Sequence, residues 1–110
     1  MRIGTLAHAA GVTAKTVRFY ERTGLLPEPP RTPSGYRDYP PESADRLAFI
    51  RGAQAAGLSL SEIRDVLRVR DSGQAPSGPT AALIAGHLRQ VEERLEDLTR
   101  TRNALRDLAP

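Results

Sequence analysis

A chain of 110 residues, 39% of them hydrophobic, has room for one small domain and an appendage but no second full core, and so modest an apolar content in a helical chain implies that a partner supplies part of the buried surface. It contains no cysteine, which excludes disulfides, thiolate metal sites and cysteine nucleophiles, and no apolar run forms a signal peptide or approaches the roughly 18 residues that span a bilayer, so the cytoplasm is the expected compartment. The formal charge of +3 is unevenly placed, with 11 basic and 7 acidic side chains in residues 1–70 against 5 and 6 in residues 71–110, so a polyanionic partner should meet the first part.

Residues 1–71 read as one basic head. Ile3, Leu6, Ala7 and Ala10 recur at helical spacing, and Gly11 stops that helix at a position suited to positive φ. Thr13 is an N-cap for a second helix from Ala14 to Arg22, whose apolar side carries Val17 and one of its aromatics, and Gly24 ends it. The small side chains Ala7 and Gly11 let the two helices approach closely. Helix, glycine turn and helix make a helix-turn-helix, whose second member can lie in a DNA major groove. Six prolines between Leu25 and Pro41 then forbid a helix. Ser34-Gly35 turns the chain between Arg31-Thr32 and Tyr36-Arg37-Asp38-Tyr39, which reads as a short two-stranded wing. From Glu42 the helical pattern returns through Ala44, Leu47, Ala48, Ile50, Arg51 and Ala55 to a stop at Gly57. Ser59-x-x-Glu62 forms a capping box for a fourth helix with Leu60, Ile63, Val66 and Leu67 on its buried face.

Residues 72–79, all Gly, Ser, Pro, Ala and Gln, are a break and turn, and residues 80–110 are one long helix to Leu108. Ile84, Leu88, Val91, Leu95, Leu98, Arg102, Leu105 and Ala109 are spaced alternately four and three apart, and all but Arg102 are apolar. A lone helix cannot bury so long a seam. Homodimerisation through Ile84, Leu88, Val91, Leu95, Leu98 and Leu105 is therefore expected, the alternative being that the helix folds back on its own head. The fold class is all-α with a small β wing: a winged helix-turn-helix followed by a dimerisation helix.

The second helix presents Lys15, Arg18 and Tyr20 as donors, with Lys15 and Arg18 three apart on one face. In the wing, Arg31, Tyr36, Arg37 and Tyr39 surround Gly35, whose turn lets backbone amides approach a phosphate while tyrosine hydroxyls donate to the same oxygens. These eight residues are the expected DNA-binding set. No glycine-rich phosphate loop and no nucleophile, base and orienter recur, and Glu92, Glu93, Glu96 and Asp97 belong to a solvated coiled-coil face, so an enzyme is not expected. A protein-protein adaptor built on the coiled coil is the other open reading.

The runs Ile3-Gly4-x-Leu6-Ala7, Gly11-Val12-Thr13, Thr16-Val17-Arg18-Phe19-Tyr20-Glu21-Arg22-x-Gly24-Leu25-Leu26 and Arg31-x-x-Ser34-Gly35-Tyr36-Arg37-x-Tyr39 together resemble the N-terminal signature of the MerR (mercury-resistance regulator) family. Leu47-x-Phe49-Ile50-Arg51 and Gly57-Leu58-Ser59-Leu60-x-Glu62-Ile63 resemble its second helix pair. The resemblance implies a transcriptional regulator whose homodimer is joined by an antiparallel coiled coil. Its partner is then a pseudo-palindromic double-stranded promoter, which it bends and untwists so that RNA polymerase engages it. The metal-sensing branch takes thiolates from the start of the dimerisation helix and from a loop after it; here Ser77 stands near the first place and the chain ends at Pro110, where the second begins. His8 and His87 are isolated imidazoles rather than metal ligands, since a stable site wants three or four ligands, so no metal and no cofactor is expected. A chain cut before its sensing loop, a minimal regulator without a metal effector, and a sensor of a small apolar ligand between coiled coil and head all stay open.

Overall fold

The computed structural model describes residues 1–110 and contains five helices: α1 (Ile3–Ala10), α2 (Ala14–Arg22), α3 (Glu42–Ala55), α4 (Leu60–Ser72) and α5 (Gly78–Leu108). It divides into two compact units, Met1–Arg68 and Val69–Pro110.

In the first unit α1 packs against both α2 and α3. Its core is Leu6, Ala7, Val17, Tyr20, Leu25, Leu26, Tyr39, Leu47, Ile50, Ile63 and Leu67, drawn from all four helices and from the segments that flank the wing. The local signals act where the sequence places them. Thr13 Oγ1 accepts the Thr16 N–H at 3.2 Å, filling one of the donors that a helix start leaves open. At α4 the capping box closes in both directions, Ser59 N–H to Glu62 Oε1 at 2.9 Å and Glu62 N–H to Ser59 Oγ at 3.1 Å. Gly11 adopts φ 68° and donates its N–H to the α1 carbonyls. A Cβ there meets nothing within 4 Å, so Gly11 is required by its backbone angle and not, as the sequence reading has it, by close helix approach.

The wing is slighter than two strands. Arg31 and Arg37 form a single antiparallel bridge, held by Thr32 N–H to Tyr36 O at 2.7 Å, Gly35 N–H to Thr32 O at 2.8 Å and Asp38 N–H to Pro30 O at 2.8 Å. Pro29, Pro30 and Pro33 on one arm and Pro40 and Pro41 beyond the other lack the N–H that would extend the ladder.

In the second unit α5 runs 31 residues, about 46 Å at 1.5 Å per residue. It begins at Gly78-Pro79 rather than Thr80, because proline in the first turn forfeits no helical hydrogen bond. None of its residues is buried: Leu88, Val91, Leu95, Leu98 and Leu105 are all exposed, and Ile84 is half-buried.

Because no side chain crowds Gly11, Gly11→Ala carries only the backbone cost of a left-handed residue. A loss of about 1 kcal/mol in urea unfolding, with unchanged denaturant slope, is the expected result.

Candidate nucleic-acid interface

α2 divides into two faces. Val17 and Tyr20 are buried, while Lys15, Arg18, Phe19 and Arg22 are exposed, and these four sit at i, i+3, i+4 and i+7, one continuous stripe along the helix. The stripe is three cations around one aromatic ring.

The far end of α2 is held from outside the helix. Arg46 of α3 donates Nε–H to Leu25 O at 2.6 Å, and Arg64 of α4 donates from Nη2 to Thr23 O at 2.5 Å. Two guanidinium groups thus meet carbonyls just past the helix end, where the macrodipole is negative, and α2 is tied to the second helix pair.

The wing is tied to α2 by one carboxylate. Glu21, whose side chain is 9% exposed, accepts from Arg37 Nε at 3.2 Å, and its other oxygen accepts the Tyr39 hydroxyl. Burial is the main cause that holds the Tyr39 hydroxyl well above its ordinary pKa of 10.0, with the hydrogen bond to Glu21 and the Glu21 charge adding to it and Arg37 and Arg18 opposing. On the outer side of the wing, Arg31 Nη1 donates to Gly35 O at 2.9 Å, bracing the turn in which Gly35 takes φ 88°. The Arg2 guanidinium lies 3.9 Å from the centre of the exposed Tyr36 ring, a cation-π contact between the start of α1 and the wing tip. Arg2, Ile3, Arg31, Gly35, Tyr36 and Arg37 line a cleft of about 140 Å³, a recess with three guanidinium groups on its walls.

Of the eight expected DNA-contacting residues, Lys15, Arg18, Arg31, Gly35 and Tyr36 lie at the surface and Arg37 is partly covered by Glu21. Tyr20 and Tyr39 stand apart from these six in being buried. Tyr20 is 4% exposed and Tyr39 1%. Their rings fill the core, and their hydroxyls donate internally, Tyr20 to Gln54 Oε1 at 2.7 Å and Tyr39 to Glu21, so neither hydroxyl is presented at the surface. Arg2, Phe19 and Glu21 are absent from the sequence-derived set, and Arg22, which follows its helix donors in the sequence, is not counted in it. Helical spacing from Lys15 and Arg18 was enough to find Phe19 and Arg22; nothing in the sequence pairs Glu21 with a wing sixteen residues away.

The chain matches two family descriptions, the MerR HTH family regulatory protein over residues 1–69 and MerR, DNA binding, over residues 44–108. It belongs to the MerR family. The mercuric resistance operon regulatory protein of Bacillus cereus is 41% identical over 97% of this chain and 81% of its own. A lead(II)-complexed transcription regulator from Ralstonia metallidurans CH34 superposes with a TM-score of 0.70 at 41% identity, covering 98% of this chain and 84% of that one. A MerR family regulator lacking the sensor domain, solved bound to promoter DNA, shares the fold with a TM-score of 0.74 at 23% identity over 94% of this chain and 78% of that one. This MerR-family chain is thus a DNA-binding transcriptional regulator. The chain contains no cysteine, and no group of three or more His, Cys, Asp or Glu is placed to hold an ion. No helix is long and apolar enough to cross a membrane.

Removing the shared acceptor tests its weight. Glu21→Ala leaves the Tyr39 hydroxyl and the Arg37 guanidinium without it and should lower unfolding stability by about 1–3 kcal/mol in urea, and Tyr39→Phe, which leaves one Glu21 oxygen without its donor, should lower it as well. With a raised folded pKa, the Tyr39 contribution is complete below the ordinary tyrosine value and is lost as pH climbs past it towards the folded value. The alkaline stability curve of Tyr39→Phe should fall less steeply than that of the parent.

Proposed function

We propose that this chain acts in the cytoplasm as a homodimer that clamps one promoter with two heads, laying α2 of each into a major groove and pressing each wing on the flanking phosphates. The carrying observation is the pairing of a basic, exposed stripe on α2 with an α5 whose apolar seam has no buried residue. Lys15 and Arg18 read base edges, since arginine and lysine match the guanine acceptors O6 and N7. Arg31, Tyr36 and Arg37 hold the backbone around the Gly35 turn, and such contacts position a protein without reading sequence. Arg2 joins them at the cleft.

The seam of Ile84, Leu88, Val91, Leu95, Leu98 and Leu105 pairs with its copy in an antiparallel coiled coil. Arg102, the one polar member, favours a single register, as a charged residue in an apolar seam does. Two heads at a set separation can sustain a bend and untwist of the promoter that costs on the order of 1–6 kcal/mol, so that RNA polymerase is reached through the DNA rather than by contact. Two features support this over an adaptor function: the concentration of positive charge in the first unit, and the joining of helix and wing through Glu21, which an adaptor does not need.

Band-shift titrations against genomic promoter fragments test the reading. Arg18→Ala should weaken the selected operator by about 1–3 kcal/mol relative to unrelated DNA, whereas Arg37→Ala should weaken all duplexes alike and flatten the salt dependence; parental binding by both variants would refute the assignment. Leu95→Asp puts a charge in the seam and should sediment as a monomer with poor operator affinity. An intact dimer in that variant would refute the coiled-coil reading.

A further inference from the structure

Phe19 is 38% exposed, and it is neither in the core of the head nor among the apolar residues packed against that core. Its neighbours in sequence explain why: Val17 and Tyr20 take the inward side of α2, which leaves the Phe19 ring on the outward stripe between Arg18 and Arg22. The ring is steadied from the side by Tyr20, with centroids 5.7 Å apart and planes tilted by 53°. A rigid apolar surface therefore sits in the middle of three cations, on the face proposed to enter the major groove.

Among the four bases, thymine alone offers an apolar group in the major groove, its C5 methyl; the other edges present donors and acceptors that a phenyl ring cannot satisfy. Charge complementarity with Lys15, Arg18 and Arg22 brings the duplex to this face whatever its sequence, and the phenyl ring then distinguishes one base from the rest. The geometry points to Phe19 as a specificity-determining residue that packs on a thymine methyl in each half-site. Phe19 follows Arg18 by one residue, a rise of about 1.5 Å, less than half the step between base pairs. Its thymine is therefore at or directly next to the base pair that Arg18 reads. This inference rests on the reading of α2 as the helix that enters the groove.

The test is a uracil scan. A bound duplex is first selected from random double-stranded DNA with the full chain, and each thymine is then replaced by deoxyuracil, which deletes the methyl and leaves the pairing edge unchanged. At one position per half-site the parent should lose about fourfold in affinity, and about fifteenfold when both half-sites are changed, as expected from roughly 0.8 kcal/mol for each methyl taken out of water. Phe19→Ala should bind thymine and uracil duplexes equally at that position while keeping the salt dependence of the parent. Phe19→Leu, which retains an apolar side chain of lower packing demand, should keep part of the discrimination and serves if the alanine variant does not fold. Equal binding of every uracil duplex by the parent, or undiminished discrimination in the alanine and leucine variants, would overturn the assignment and leave the groove-binding role of α2 standing. Recovery of no bound duplex at all would instead overturn both.

Discussion

Two oxygens of Glu21 join α2 to the wing. The proposed groove helix and phosphate-holding wing need a fixed separation, and the wing carries only a single bridge, so its place against α2 depends on contacts from outside it. Glu21 supplies that constraint from α2, with one oxygen on Arg37 and the other on Tyr39. A carboxylate this far removed from water is tolerable only when both of its oxygens are satisfied, so the same requirement that stabilises Glu21 fixes where Arg37 and Tyr39 must stand. Arg46 and Arg64 do the corresponding work at the end of α2, so the helix is set against its surroundings at its last turn as well as through its buried face.

The two units solve the burial problem in opposite ways. In the head, eleven residues close a core among themselves and the exposed positions are free to be cationic. In α5 nothing is buried, and a helix of that length with an apolar seam exposes more hydrocarbon than its own unit can cover. In the proposed homodimer a second copy of the same helix matches that seam in length and spacing. The proposed DNA face and the proposed dimer seam therefore lie in separate stretches of the chain, and residues 71–110 carry the negative balance.

How much was legible beforehand varied with the range of the interaction involved. The α1 stop at Gly11, the Thr13 cap, the Ser59–Glu62 box and the stop at Gly57 were all readable, because each is a contract among residues at most a few positions apart. The seam of α5 was readable because its period is a property of one helix. The wing is readable from its Ser34-Gly35 turn, but its extent is not: it comes down to one bridge, because the flanking prolines lack the donors that a longer ladder needs. The start of α5 moved two residues towards Gly78-Pro79 for the same local reason that proline is welcome in a first helical turn.

From its order of residues alone, this protein determined its helices, their caps, its turn glycines and the stripe that awaits a partner, since propensity, periodicity and capping act over one to eight residues. Tertiary structure alone decided which donors remained for DNA. Tyr20 and Tyr39 carry the same hydroxyl as Tyr36, yet Gln54 and Glu21, 34 and 18 residues away, drew the first two inward while Tyr36 stayed 54% exposed. The same packing put Phe19 outside. A side chain's surroundings are set by what the folded chain brings to it, and that partner is not written beside it in the sequence.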